Sequence, residues 1–346
     1  MQLEENKPLA PYTTFGIGGP ARWFVRAQSE GEVVEASEWA RGHAIPLFVL
    51  GGGSNVLIAD GGLSGLVLHI ALKGIQEQDI GDSAVVFRVE AGEDWDTFVQ
   101  RAVDENCAGI ECLAGIPGTV GGTPVQNVGA YGQEVAQVIG RVRAFDTRER
   151  QMIELSAEDC SFSYRKSRFN SADRGRFIIT RVCFQLKRCG APTLRYADLQ
   201  REFGPDAHPS LPEVAAAVRR IRRGKGMFLV EGDPDRRSAG SFFKNPIVTE
   251  DQADQIAFAA GKEPPRFPAG SEGHVKLPAA WLIEQVGFSK GYASGNAGIS
   301  SRHTLALINR GGATAGEILE LAARIKSAVE QRFGVVLQPE PVFLGF

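Results

Sequence analysis

Between residues 115 and 132 the chain reads GIPGTVGGTPVQNVGAYG, with six glycines, two prolines and no Asp, Glu, Lys or Arg. The missing charge separates this stretch from a solvated linker. Glycine permits positive φ and, lacking a Cβ, lets the backbone approach another surface closely. A loop built this way aims several N–H groups at one anion, as phosphate-binding turns do. Residues 115–132 are therefore expected to lie against a nucleotide or dinucleotide cofactor.

A second loop has the same character. Pro46 to Leu50 reads as a short apolar strand, runs directly into Gly51-Gly52-Gly53-Ser54-Asn55, and a strand resumes at Val56 to Ile58. Either loop alone is equally a tight turn between strands; two of them fit the pyrophosphate and the second end of one dinucleotide. Neither is a Rossmann fingerprint, because no G-x-G-x-x-G opens a helix. Neither carries the lysine of a P-loop, which argues against a kinase or ATPase of that type. Gly16-Ile17-Gly18-Gly19 reads as a turn.

Length and composition narrow the class. A chain of 346 residues has room for two or three domains and a sizeable core. A net charge of −3 argues against a general nucleic-acid binder. No apolar run reaches the ~20 residues of a membrane span, and the polar, acidic opening MQLEENKPLAPY is unlike a signal peptide. Cys107, Cys112, Cys160, Cys183 and Cys189 form no C-x-x-C pair and offer no zinc spacing with the five histidines, so no metal site is expected. They read as reduced, mostly buried thiols of a cytoplasmic protein.

Taken in order, Ser29 with Glu32 fits a capping box for a helix through about Arg41. Val85 to Val89 alternates as a strand. Trp95, Phe98, Val99, Ala102 and Val103 share one helical face, ending near Asn106. Val138–Phe145 and Gln151–Leu155 read as a hairpin, and Phe177–Leu186 as the longest strand. Gly190 to Pro209 is a connector. Ser210 with Glu213 opens a helix whose apolar face is Val214, Ala217, Val218 and Ile221 and whose arginine-rich last turn stops at Gly224. Thr249 with Gln252 and Thr314 with Glu317 are further capping boxes. Helices are expected over Leu277–Val286 and Ala315–Phe333, and a closing strand over Val335–Leu344. Strands dominate before residue 210 and helices after it, which marks a domain boundary.

Four segments outside the glycine loops offer chemistry. Tyr164-Arg165-Lys166-Ser167-Arg168 is either a solvated face or a set of donors for a carboxylate, to which the Arg fork is suited. Ser238 to Pro246 leads Ser241 into two aromatics, then Lys244 and Asn245; it reads as a strand entering the core, and no G-x-S-x-G elbow surrounds Ser241. Arginines 219, 220, 222 and 223 complement a helix dipole, and Arg222 or Lys225 would also serve an anionic ligand. Glu340 stands between Pro339 and Pro341; burial would raise its pKa and make it an acid, exposure would leave it irrelevant.

As an ordered set, GGGSN at 51–55, IPGTVGG at 116–122, QNVGAYG at 126–132, SYRKS at 163–167, GSFFKNP at 240–246 and PEPVFLG at 339–345 resemble the UDP-N-acetylenolpyruvoylglucosamine reductase (MurB) family, flavoenzymes of peptidoglycan precursor synthesis. The resemblance implies an α+β chain: an FAD-binding domain of the vanillyl-alcohol oxidase (PCMH) type in two α+β subdomains, 1–70 with a C-terminal strand in 334–346 and 71–209, plus an α+β substrate-binding domain over 210–333. It implies non-covalent FAD and NADPH as co-substrate. FAD contacts would come from Gly51, Gly52, Gly53, Ser54, Asn55, Gly118, Thr119, Gly122, Asn127, Gly129 and Ala130. Arg165 and Glu340 match residues that stabilise an enolate-like species, and Ser241 matches a proton donor to C2. LRYADL at 194–199 looks like the tyrosine loop of the longer family subtype and would put Tyr196 over the nucleotide-sugar; Tyr164, Arg222, Lys225, Asn245 and Lys276 are the other candidate substrate contacts. Pro341, Val128 and Thr123-Pro124 vary the pattern around glycines that are retained. The partner so implied is a small nucleotide-sugar, with no nucleic acid and no membrane, and a monomer is compatible with all of it. The competing readings are another FAD oxidoreductase of the superfamily and a non-catalytic nucleotide-sugar binder. Against the first, neither glycine loop holds the His or Cys of a covalent flavin site; against the second, Arg165, Ser241 and Glu340 are all present.

Overall fold

The computed structural model describes residues 1–81 and 83–346. The chain forms two compact units, one from residues 1–7, 20–53 and 63–223, the other from 8–19, 54–62 and 224–346.

The first unit holds two large sheets and a short two-stranded ladder among its described residues. In the four-stranded one the order is Leu3–Pro8, Pro20–Ala27, Leu63–Ile70, Leu47–Leu50, and Leu63–Ile70 runs parallel to both its neighbours. Its sequence, LSGLVLHI, is nearly all apolar and nearly all buried, as a central parallel strand requires. Helix α1 (Glu30–Gly42) packs on this sheet through Val33, Ala36 and Ala40. The Ser29 hydroxyl accepts from the Glu32 amide at 3.2 Å, while the Glu32 carboxylate reaches back to the Gln28 amide at 2.7 Å, one residue earlier than a strict capping box.

The second sheet has the order Gln151–Ser156, Ile139–Asp146, Phe177–Arg188, Ala84–Glu90, Ile75–Ile80, with Cys107–Ala108 added at the end of the long strand. Phe177–Arg188 is central, and its inward residues meet α2 (Trp95–Asp104): the Phe98 ring lies 5.1 Å from Phe184 and 5.6 Å from Phe87. Asp94 caps α2 through the Thr97 amide at 2.8 Å. The helix ends two residues before Asn106, which takes a left-handed φ of 54°. The connector 190–209 contains a helix the sequence pattern did not announce, α3 (Ala197–Phe203), stopped by Gly204 at φ 81°. The break between the compact units follows Arg223, beyond the composition shift near 210, because α4 (Leu211–Gly224) packs with the first unit. Arg219 of α4 pairs with Asp96 of α2 at 2.7 Å and donates to Gln100 at 2.6 Å.

One ion pair joins α1 to the large sheet. Arg143 donates to both Glu30 oxygens at 2.7 and 3.0 Å, and the Thr180 hydroxyl adds a third bond at 2.8 Å. The guanidinium, then the hydroxyl, hold the Glu30 carboxyl below its ordinary 4.5. A depressed pKa stabilises the fold above the unfolded value and loses that contribution as pH falls through the folded one. Glu30→Gln is expected to cost about 1–2 kcal/mol at pH 7 and progressively less as the pH falls below 4.5; urea melts at a series of pH values check it, and a cost that does not change contradicts the assignment.

In the second unit α5 (Glu250–Ala260) and α7 (Ala315–Phe333) open with the two expected capping boxes and close on left-handed Gly261 and Gly334. Asp60 adds a further cap, accepting from the Ala315 and Gly316 amides at 2.8 and 3.2 Å. Ile318, Leu321, Ile325 and Val329 of α7 fill a core with Ile256, Leu282 and Ile299. Helix α6 (Ala279–Gln285) begins two residues later than Leu277, since Pro278 has no N–H and takes the cap position. The closing strand is confined to Val342–Leu344, parallel to Val56–Ile58; Pro339 and Pro341 cannot donate to a ladder, which breaks the expected Val335–Leu344 run.

Candidate active site

Within the first unit the two glycine loops touch. A Cβ on Gly52 would stand 2.7 Å from the Gly118 Cα and 2.9 Å from its carbonyl carbon, and one on Gly51 would stand 2.7 Å from the Thr119 hydroxyl oxygen. Space demands glycine at Gly52, where the neighbour is backbone, and at Gly51 the Thr119 hydroxyl would have to turn aside; Gly53 at φ 61° and Gly118 at φ 125° need glycine for conformation. The longer loop is clamped to the start of α2: Trp95 N donates to Gly118 O at 3.0 Å, Val120 N to Glu93 O and Gly121 N to Ala91 O, both at 2.9 Å. Asp96 accepts from the Gly115 amide at 2.6 Å.

The amides of Gly51, Gly52, Gly53, Gly118 and Thr119 donate to no acceptor among the described residues. The Thr119 hydroxyl oxygen is buried with no hydrogen-bond partner. An orphaned buried hydroxyl costs on the order of 1–3 kcal/mol unless a bound group satisfies it. Converging amides, an orphan hydroxyl and a backbone cleared of Cβ atoms form a donor set that fits the pyrophosphate of a dinucleotide such as FAD. At Gly122 a Cβ would meet nothing within 4 Å, and the Gly122 amide is already used by Thr119 O at 3.0 Å. Gly122 therefore offers open space, not a donor.

Asn127 plays a different part from that of a simple contact. It is buried at φ 44°, its Nδ2 donates to Glu134 at 2.8 Å and to Ser163 O at 3.1 Å, and its Oδ1 accepts from the Ala136 amide at 3.1 Å. With its side chain spent on protein, Asn127 shapes the loop. Gly129 and Ala130 pair with Glu134 and Gln133 in a two-stranded ladder. A Cβ on Gly129 would lie 2.7 Å from Glu134 Cγ and 3.2 Å from Arg165 Nη1, so glycine there makes room for the arginine.

Arg165 sits on a tight turn in which Ser163 and Lys166 exchange both backbone bonds, at 2.9 and 3.0 Å. Its φ of 52° is left-handed, a conformation that costs an arginine roughly 1 kcal/mol or more and persists only when its surroundings enforce it. Here they do. Nη2 donates to Gly129 O at 2.6 Å, Asn170 Nδ2 donates to Arg165 O at 3.3 Å, and the fully buried Ser167 ties the turn to the glycine loop by donating to Val125 O at 2.6 Å. The guanidinium carbon stands 5.5 Å from the Tyr164 ring. A fixed cation is thus mounted on the loop expected to hold the cofactor.

Tyr131, left-handed at φ 49°, meets the exposed Tyr196 ring edge-on at 5.2 Å. Arg222, in the last turn of α4, is buried beneath the same loop with Nε donating to Gly115 O at 2.9 Å. Burial draws its pKa down, against Tyr131 and Asp96, which favour the cation; a guanidinium stays charged regardless. The first unit therefore brings Tyr164, Arg165, Tyr196 and Arg222 to the glycine loop or its immediate neighbours.

The second unit holds Ser54, Asn55, Lys225, Ser241, Asn245, Lys276 and Glu340. Gly240, at φ 72°, turns the chain into Ser241, and the following residues pair antiparallel with the terminal segment. Glu340 N donates to Phe242 O at 2.8 Å, Lys244 N donates to Gln338 O at 2.9 Å, and Phe243 opposes Pro339. Phe242 and Phe243 are buried, so the aromatics anchor the strand while Ser241, half-buried, makes no hydrogen bond among the described residues. Asn55 locks Glu340 from its other side: Nδ2 donates to Glu340 O at 3.2 Å and Val342 N donates to Asn55 O at 2.9 Å. Asn245 Oδ1 accepts from the Ala279 amide at 2.9 Å and starts α6. Lys225 and Lys276 are half-buried, Lys276 lying between Ile247 and Phe267 in a three-stranded sheet.

Two features escaped sequence reasoning. Asp233 and Asp235 bind Arg302, with Ser300 and Ser301 also donating to Asp235, and so fasten the segment leading to Ser241; nothing local to 233–235 announces a partner so distant. Glu111 is fully buried, and the visible signal is a lone carboxylate within the otherwise uncharged CAGIECLAGIPG.

Comparison with known proteins places these observations. Residues 233–344 match the family described as UDP-N-acetylenolpyruvoylglucosamine reductase, C-terminal domain, and residues 21–152 match the family described as FAD binding domain. The chain is 45% identical to the UDP-N-acetylenolpyruvoylglucosamine reductase of Thermobifida fusca, over 98% of this chain and 97% of that one. It is 47% identical to the enzyme of that name from Streptomyces coelicolor, over 100% of this chain and 91% of the other. The crystal structure of the MurB protein from Thermus caldophilus superposes with a TM-score of 0.68 at 28% identity, covering 99% of this chain and 98% of that one. With an α+β architecture, a glycine cradle suited to FAD and relatives of this closeness along its whole length, the chain belongs to the UDP-N-acetylenolpyruvoylglucosamine reductase family.

Proposed function

We propose that this chain catalyses the reaction for which its family is named, with Arg165, Ser241 and Glu340 as its catalytic groups. UDP-N-acetylglucosamine enolpyruvate, NADPH and a proton give UDP-N-acetylmuramate and NADP, a step of peptidoglycan precursor synthesis. FAD, when bound, accepts hydride from NADPH and supplies it to the terminal vinyl carbon. That delivery leaves negative charge on C2 and its carboxylate. Arg165 stabilises the charge as a fixed cation, and Glu340 contributes where it is protonated or otherwise hydrogen-bonded. Ser241 then gives its hydroxyl proton to C2; a serine is a weak acid, and it suffices because the developing carbanion is a strong base.

The observation that carries this reading is the pairing of the segment after Ser241 with the Glu340 segment, Glu340 N to Phe242 O at 2.8 Å, beside a serine hydroxyl that makes no hydrogen bond among the described residues. Gly51, Gly52, Gly53, Ser54, Asn55, Gly118, Thr119, Gly129 and Ala130 contact FAD, with Asn127 holding the loop and Gly122 leaving room. The FAD-binding part is of the PCMH type, in subdomains 1–70 with 334–346 and 71–209. Tyr164, Tyr196, Arg222, Lys225, Asn245 and Lys276 serve the nucleotide-sugar, in a substrate domain over 210–333. No described helix is long and apolar enough to cross a membrane. The proposed enzyme works on a small nucleotide-sugar in the cytoplasm, without nucleic acid.

Purified protein is expected to be yellow and to release FAD on denaturation. In stopped-flow absorbance NADPH should bleach the flavin band, and UDP-N-acetylglucosamine enolpyruvate added next should restore it. A protein that cannot be reconstituted with FAD, or whose bleached flavin ignores this substrate, would falsify the proposal.

A further inference from the structure

Glu111 is a fully buried carboxylate that the mechanism leaves unused. It sits in a short turn just before the glycine loop. Its Oε2 accepts from the Gly109 amide at 2.8 Å, and its Oε1 accepts from Gln133 Nε2 and from the Thr193 amide, each at 2.8 Å. Gln133 closes the junction, its Oε1 taking the Cys112 amide at 2.8 Å and its Nε2 also reaching the Thr193 hydroxyl at 3.2 Å. The Cys112 thiol donates to Thr193 O at 3.2 Å. Three chain segments thus end on one carboxylate: the entry of the glycine loop, its exit, and the segment three residues ahead of Tyr196. Beyond the junction, the chains continue side by side. A Cβ on Gly132 would lie 3.4 Å from Arg195 Cβ, and the Tyr131 and Tyr196 rings are 5.2 Å apart.

A buried carboxylate is costly unless fully hydrogen-bonded, and a hydrophobic plug would fill the same space. What a carboxyl group adds is acceptor capacity on both oxygens, which holds N–H donors from separate segments at one point. The Tyr196 ring is exposed and rests edge-on against Tyr131, and its segment is tied to the ends of the cofactor loop through the Thr193 amide. We infer that Glu111 is a positioning residue that fixes the Tyr196 segment to both ends of the cofactor loop and thereby sets recognition of the nucleotide-sugar. The inference rests on the reading of Tyr196 as a contact to that substrate. Hydride transfer from NADPH, which needs the loop but not Tyr196, is independent of it.

Glu111→Gln keeps the size but turns an amide N–H₂ toward groups that are themselves donors. It should raise KM for UDP-N-acetylglucosamine enolpyruvate about tenfold while leaving FAD content and the rate of flavin bleaching by NADPH within about twofold. Amides of residues 191–199 should exchange with deuterium faster in the ligand-free holoenzyme. Thr193→Pro, which deletes the donated N–H together with the hydroxyl that Gln133 reaches, should reproduce both effects and decides the matter if Glu111→Gln does not fold. Unchanged exchange over 191–199 in these variants overturns the tether, and so does an equal loss in both half-reactions. If the wild-type protein does not turn over this substrate, the functional reading fails and exchange alone judges the tether.

Discussion

Ser241→Ala should retain the yellow colour and let NADPH bleach the flavin at the wild-type rate, while slowing reoxidation by the enolpyruvyl substrate about 10²- to 10⁴-fold, the usual contribution of a positioned general acid. The change removes only the half-buried hydroxyl, which supports no hydrogen bond among the described residues, so the fold has no reason to respond. Phe242 and Phe243, buried beside Phe15 and Phe343, keep the strand in place. Ser241→Cys, with a thiol more acidic than a hydroxyl, should restore part of the rate. Stopped-flow absorbance separates the two half-reactions. If both slow together, Ser241 supports FAD or the fold rather than proton transfer.

The second large effect is expected at Gly52. Gly52→Ala drives a Cβ to 2.7 Å from the Gly118 Cα, and backbone cannot rotate away as a side chain end can. Separating the loops should cost about 1–3 kcal/mol of stability, as overpacking does elsewhere, and should disperse the amides of Gly52, Gly53, Gly118 and Thr119. FAD content after gel filtration is expected to fall below about a tenth of wild type, since anion binding at such turns depends on several N–H groups converging. Gly122→Ala is the control for stability alone, because its Cβ meets no protein atom within 4 Å. Full flavin content in Gly52→Ala would show that close approach is not what glycine serves there.

Local patterns were readable where local chemistry decides structure. Thr314 with Glu317 and the apolar stripe from Ile318 to Val329 place a helix over Ala315–Phe333, and it is there to the residue. The glycine loops were readable as backbone cleared of side chains. That Gly52 lies on Gly118 was not, because no local rule pairs two loops so far apart in the chain. Arg165 in a left-handed turn ran against the expectation for a non-glycine residue, and its reason lies in distant partners at Gly129, Val125 and Asn170. Prolines 339 and 341 did carry their own warning: neither can donate to a ladder, and the strand contracts to Val342–Leu344. Identification came from six short motifs in order; the geometry adds how Asn127, Asn55 and Ser167 hold them.

The parallel pairing of Val56–Ile58 with Val342–Leu344 also bears on how the molecule is made. The second unit draws on residues 8–19, 54–62 and 224–346, so its earliest strands wait for partners translated almost last. Contacts between segments so distant along the chain carry a large loop-closure cost and slow folding. During synthesis the stretch 54–62 remains an unpaired edge, the kind of surface that recruits chaperones or aggregates. Gene fragments cut at residue 224 should therefore yield an insoluble C-terminal piece, and a circular permutant that shortens the path from 344 to 56 should refold faster than the natural chain order.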